Sequence, residues 1–211
     1  MLPVEVKITG GKRDIVLGSG DLLYRHLRRE GGQARLKVDG GEIVVDAAQP
    51  NERLLLYAFK NILRHYERSG LFGAMRKYLA RGGCFVDVGA NLGIYSYLAK
   101  TRFAVKTICF EPEPIHRAFL ERNKVFFDEV YPFALSDSEG EASFYTAAER
   151  NPGASSLVTS GGTAEKQTYA GEIKVQVKRF DKVMEGRDDV GLIKIDVEGN
   201  EAKTVRGMTG F

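Results

Sequence analysis

The chain has 211 residues, 43% of them hydrophobic, and carries 31 Lys and Arg against 28 Asp and Glu for a formal net charge of +3. This is enough apolar material for one real core, so a disordered chain is excluded. No apolar run reaches the roughly 18 residues that a membrane span needs, and the start lacks the basic-then-apolar layout of a leader peptide.

The charge is uneven. Residues 1–82 hold 15 basic and 9 acidic side chains, residues 83–211 hold 16 and 19. The basic residues of the front are interspersed with acids and show no basic-aromatic alternation, which argues for solvated faces and against a nucleic-acid surface. Cys84 and Cys109 lack CxxC spacing and each adjoins a strand-like run. Two buried thiols are expected, in a soluble cytoplasmic protein with no membrane partner.

In chain order, residues 1–49 contain short β-like pieces (VEVKI, ARLKV, EIVVD) separated by glycine pairs, which predicts hairpins, with a helix around residues 21–29. Residues 50–82 predict two helices. The first opens at Pro50 and repeats Leu55, Ala58, Phe59, Ile62, Leu63 and Tyr66 at helical spacing; the second, about residues 71–80, ends at Gly82-Gly83. From residue 83 strand and helix alternate: CFVDVGA, GIYSYLAK, TICFEP, PIHRAFLERN, VYPFALSD. Strands without polar alternation, each followed by a helix, predict an α/β fold with a doubly wound parallel sheet. A further strand at ASFYT, a polar loop over residues 147–171, strand-like IKVQVKRFDKV and the strand LIKID follow, with a helix beginning near Gly199. The expected organisation is an N-terminal α+β accessory segment (1–49), a helical lead-in (50–82) and a ligand-binding domain (83–211).

Ligands of such sheets sit beyond the carboxyl ends of the strands. The turn Asp87-Val88-Gly89-Ala90-Asn91-Leu92-Gly93 is placed there, with Gly89 free to turn sharply near a ligand, Gly93 to let the helix pack closely, and Asn91 tolerant of left-handed geometry. Glu111 follows Gly89 by 22 residues, close to the spacing at which a carboxylate accepts from ribose hydroxyls; its alternative is to cap the next helix. The dinucleotide pattern G-x-G-x-x-G is absent. Asp87 stands where its first glycine would be and would repel a pyrophosphate. A carboxylate suits a ligand with an ammonium or sulfonium group, such as S-adenosylmethionine, and disfavours a nicotinamide-dependent oxidoreductase.

Taken together, FVDVGANLGIYS, CFEPEPIHRAFLERN, FALSDSEGEASFYT, GASSL, RFDKV and LIKIDVEGNEAKTVRGM resemble the FkbM family of S-adenosylmethionine-dependent methyltransferases over about residues 83–208. The resemblance implies a Rossmann-like class I methyltransferase fold, bound S-adenosylmethionine, and O-methylation of a hydroxyl on a sugar, polyketide or similar small metabolite. Carried over by position, Asp87, Gly89, Asn91 and Gly93 form the first cofactor motif, Glu111 the ribose acid, and Asp137 a candidate for the adenine edge, or equally a turn residue. Asp196 falls near the transferred methyl group.

Asp196, Glu198 and Glu201 crowd three carboxylates into one turn. Such a group can raise one proton affinity to make a general base, hold a divalent metal, or cap a helix. Asp196 and Glu198 are taken as catalytic candidates and Glu201 as a cap. His26, His65 and His116 are expected to face solvent, and Asn151, Ser155 and Ser156 are candidates to orient a polyhydroxy acceptor. A seven-stranded class I sheet needs three more strands than the sequence offers, so the fold is expected to lack its C-terminal strands, through truncation, a second polypeptide, or replacement by the N-terminal strands. The competing function is a catalytically silent nucleoside-binding or assembly module.

Overall fold

The computed structural model describes residues 6–8, 32–38, 41–147, 155–157 and 169–211. The helix expected at residues 21–29, together with His26 and Asn151, lies outside them.

Strands β1 (Val6–Ile8), β2 (Gln33–Val38) and β3 (Gly41–Asp46) form an antiparallel sheet in the order β1-β2-β3. Two helices follow, α1 (Pro50–Tyr66) and α2 (Gly70–Tyr78). Proline suits the first turn of α1, where its missing N–H is no loss, and the Ser69 side chain caps α2 by accepting from the Phe72 N–H at 3.1 Å.

The central sheet is fully parallel. Strands β4 (Cys84–Val88), β5 (Thr107–Phe110), β6 (Glu129–Tyr131) and β10 (Val190–Ile195) stand in the order β10-β4-β5-β6. Helix α3 (Ile94–Phe103) links β4 to β5, and α4 (Pro114–Arg122) links β5 to β6. A third sheet, β7-β9-β8, combines β7 (Ala134–Leu135), β8 (Gly140–Ala147) and β9 (Tyr169–Lys178). Short helices α5 (Phe180–Val183) and α6 (Glu201–Arg206) complete the described elements.

Residue alternation along β4 and β5 divides the core. Phe85 and Cys109 face a large cluster that contains Leu55, Met75, Leu98, Phe119 and Phe126, and extends without a break to Ala34, Leu36 and Val45 of the N-terminal sheet. Cys84, Val86, Val88, Ile108 and Phe110 face a second cluster with Leu135, Phe180 and Met184. Both faces of the parallel sheet are covered, as continuous apolar strands require. The two cysteines are buried on opposite faces and are unpaired thiols.

Three expectations change. The strand-like run IKVQVKRFDKV is strand only as far as Lys178, and its FDKV end forms α5. VYPFALSD is not one strand: β6 ends at Tyr131, and after Pro132, which has no N–H to give a ladder, the chain passes to β7 in another sheet. The N-terminal strands do not extend the central sheet beside β10 but form a sheet of their own.

Candidate ligand cavity and its polar floor

A cavity of about 390 Å³ opens beyond the carboxyl ends of β4, β5 and β10. Its floor is the turn after β4, the Glu111–Glu113 segment after β5, and residues 194–198 at the end of β10. Leu55, Ile62 and Tyr66 of α1 line it together with Phe110, Phe133 and Leu135, and so do Phe144 of β8 and Leu157, which packs against the Phe144 cluster.

Gly89 has φ +73°, and a Cβ there would lie 2.0 Å from the Asp196 carbonyl oxygen. The close approach that requires glycine is therefore to the backbone beyond β10, while the same residue lines the cavity. Gly93, at φ +66°, packs against Phe127 and Leu120 rather than against its strand. Asn91 adopts the left-handed region at φ +52°, and its side chain accepts from the Leu92 N–H at 2.8 Å.

Glu111 ties two turns together. One carboxylate oxygen accepts from the Asn91 N–H at 2.7 Å and the other from the Glu113 N–H at 2.9 Å. Burial pushes its proton affinity up, against the opposing pull of His116 and these two N–H groups. It does not cap α4, where Glu113 occupies the N-cap position.

His116 is buried, contrary to the solvent-facing expectation, while its neighbour Ile115 is exposed. Its Nδ1 lies 3.2 Å from Glu113 Oε2, and its Nε2 lies 2.9 Å from Asn51 Nδ2 of α1. Burial favours the neutral ring, but Glu113 and Glu111 outweigh it and raise the histidine's proton affinity. Burial would likewise raise Glu113, and His116 outweighs it and holds the carboxyl low. His65 is exposed, as expected.

Asp87 is fully buried and is not among the lining side chains. Strand register places Lys194 of β10 and Cys109 of β5 on either side of it. Lys194 Nζ lies 2.9 Å from Asp87 Oδ1, donates to the Gly89 carbonyl at 2.7 Å, and reaches Asp196 Oδ2 at 3.9 Å. The Ser96 hydroxyl donates to the other Asp87 oxygen at 2.8 Å. Burial would lower the Lys194 proton affinity, but Asp87 and Asp196 together raise it. Sequence reasoning passed over Lys194, although a lysine inside the apolar strand LIKID needs a buried partner and Asp87 in FVDVG needs the same.

Asp196 has 63% of its side chain exposed and lines the cavity together with Glu198, whose backbone is left-handed at φ +53°. The Ser156 hydroxyl donates to the Glu198 carbonyl at 2.7 Å, so of the loop candidates Ser156 holds the turn and Ser155 lines the cavity. Glu201 turns back to accept from the Val197 and Gly199 N–H groups. Burial would raise its proton affinity, and those bonds outweigh it. Asp196, Glu198 and Glu201 do not converge on a point where a cation would sit. The ligand atoms that do fall within 4.8 Å of one another are those of Glu111, Glu113 and His116, where the histidine already compensates a carboxylate.

Asp137 is not brought to the cavity. Its carboxylate accepts from Arg206 at 2.8 Å, and its carbonyl from Arg179 at 3.0 Å. No helix of the described residues is long and apolar enough to cross a membrane.

The residues fit a cationic nucleoside. Carboxylates of Glu111, Glu113, Asp196 and Glu198 line the cavity against one lysine, which is engaged by Asp87. Each Glu111 oxygen accepts one N–H and keeps a second lone pair for a ligand hydroxyl. The aromatic wall offers an apolar slot for a base.

Comparison with known proteins gives the context. The model of the methyltransferase FkbM domain matches residues 87–211. The chain is similar to methyltransferase sdnD of Sordaria araneosa, 30% identical over 154 residues that cover 58% of this chain and 59% of that protein. It is also similar to hexuronic acid methyltransferase AglP of Haloferax volcanii, 29% identical over 128 residues that cover 58% of this chain and 48% of that protein. The chain thus spans about half the length of the curated relatives it matches. No solved structure shows a significant match. The chain belongs to the family defined by the methyltransferase FkbM domain.

Proposed function

We propose that the protein is an S-adenosylmethionine-dependent methyltransferase that acts on a hydroxyl of a small metabolite or sugar. The observation that carries the reading is the buried Glu111 carboxylate, fixed by two backbone N–H groups at the floor of a cavity next to the Gly89 turn. S-adenosylmethionine supplies an electrophilic methyl on a sulfonium. The family match and the names of both relatives support a methyl-transfer role.

In this reading Glu111 accepts from the ribose hydroxyls and the aromatic wall holds the base. The carboxylates of Asp196 and Glu198 face the cationic end, where Asp196 or Glu198 receives the proton of the acceptor hydroxyl. Alignment of acceptor and donor inside a walled cavity supplies much of the remaining acceleration. Tyr66 and Tyr95, with ring centroids 4.6 Å apart, flank the acceptor side. The protein works in the cytoplasm, in keeping with two unpaired buried thiols. It needs neither nucleic acid nor membrane as a partner.

Calorimetric titration with S-adenosylmethionine, S-adenosylhomocysteine and NAD tests the reading. Binding of the first two and not of NAD is expected, and Glu111→Ala should weaken it about tenfold or more, the cost of losing charge-assisted hydrogen bonds. Binding of NAD alone would overturn it.

A further inference from the structure

The cavity has an apolar side that the protein itself only half covers. Ile62 and Tyr66 of α1, with Leu92, Ile94 and Tyr95 around the start of α3, pack on the core and line the cavity, yet each stays partly exposed. Covering such carbon stabilises a complex in proportion to its area. A nucleoside's ribose and charged tail seek the carboxylates of the floor instead, so this side calls for a second, apolar body. It is also a firm surface, because buried Glu52 of α1 accepts from Arg122 at 2.6 Å.

Tyr66 adds one polar point to that side. Its hydroxyl makes no hydrogen bond among the described residues, whereas the Tyr95 hydroxyl donates at 3.3 Å to Ser69 Oγ, the cap of α2. The two rings meet at 4.6 Å and 61°, so the tethered Tyr95 braces Tyr66. Burial, and after it Tyr95, push the Tyr66 proton affinity up, with Lys194 opposing and Asp196 adding to the rise. The phenol therefore remains a donor at neutral pH, within the field of the charges at the end of β10. The rest of that field is negative: Asp196, Glu198, Glu111 and Glu113 line the same cavity, and Lys194 is engaged by Asp87. A carboxylate on a ligand would stand among like charges.

We propose that Tyr66 and the apolar residues beside it form the acceptor subsite, which takes a neutral hydroxyl compound with an apolar ring and rejects one that carries a carboxylate. The inference rests on the methyltransferase reading above and names the substrate class of that site. Ile62 and Tyr66 precede residue 87, where the family match begins, so this selectivity is written in the front of the chain.

The probes are phenyl β-glucoside, methyl β-glucoside and phenyl β-glucuronide, titrated calorimetrically into the full chain with and without S-adenosylhomocysteine. The first carries both an apolar ring and hydroxyls, the second lacks that ring, and the third exchanges a hydroxymethyl group for a carboxylate. Wild-type protein should bind the phenyl glucoside at least about tenfold more tightly than either of the others. Tyr66→Ala should weaken the phenyl glucoside about tenfold and bring it within about threefold of the methyl glucoside. Tyr66→Phe, which keeps the ring and loses the donor, should weaken both glucosides alike by about threefold to tenfold and so preserve their ratio. Wild-type ratios near one, or no saturable binding of the phenyl glucoside, overturn the proposal without any variant having to fold. Unchanged affinity in either Tyr66 variant overturns it as well. Failure of S-adenosylhomocysteine to bind while the glucoside ratios hold would instead sink the cofactor reading and leave the subsite standing.

Discussion

Lys194 lies directly across the β10–β4 ladder from Asp87, with the ammonium 2.9 Å from the carboxylate and both side chains buried. The same ammonium fixes the Gly89 carbonyl, so one charge pair beneath the cavity sets the shape of the turn above it. Lys194→Met strands a buried carboxylate and should cost about 3–5 kcal/mol of stability in urea unfolding. Asp87→Asn combined with Lys194→Met removes both charges and should recover most of that loss. Equal instability of the single and double variants would show that packing, not charge pairing, is what Lys194 provides.

The Gly89 position tolerates no side chain. Gly89→Ala meets both a left-handed backbone and the Asp196 carbonyl, and the combined strain and overlap should destabilise the fold by about 3 kcal/mol or more. Thermal melting reads the effect directly, and a melting temperature within about 2 °C of wild type would contradict the geometry.

The buried His116–Glu113 pair gives a pH window. His116 has a folded proton affinity above its ordinary 6.5, so its contribution is whole below that value and disappears as pH rises through the raised one. Glu113 is held below its ordinary 4.5, so its contribution is whole above that value and is lost as pH falls through the lowered one. The stability difference between wild type and His116→Gln should therefore be greatest between pH 4.5 and 6.5, at about 2 kcal/mol, and decline on either side. Denaturant titrations from pH 4 to 9 (roughly the span of both groups) check this, and a flat difference would refute it.

Asp137 is engaged by Arg206 at the surface, away from the cavity. Asp137→Asn should leave S-adenosylmethionine affinity unchanged. A tenfold loss, or about 1.4 kcal/mol, would restore it as a contact of the adenine edge.

Local chemistry was readable in the residues themselves. The strands CFVDV and TICF are continuous apolar runs, Asn91 is a residue that accepts a left-handed backbone, and Pro50 opens a helix, so each of these elements appears where the sequence placed it. What escaped depends on partners distant in sequence. The contact that buries His116 comes from Asn51, 65 residues earlier, and no pattern around PIHRAF announces that the histidine points inward while Ile115 points out. Lys194 was in principle accessible, since two opposite charges inside two apolar strands imply each other. The departure of the chain to β7 follows from Pro132, but its destination is set by pairing with β9, more than 40 residues later.

The polar stitching between the front of the chain and α4 has a practical meaning for anyone cutting the gene. Besides the Glu52–Arg122 pair, the Asn123 side chain exchanges two hydrogen bonds with the Val44 backbone, and the apolar cluster beneath them is shared by both parts. A fragment limited to residues 87–211 would leave Arg122 and Asn123 without those partners and bare the faces of Phe119 and Phe126 to water. The stretch that family membership recognises is therefore shorter than the cooperative folding unit, and expression trials should keep β2, β3 and α1 attached.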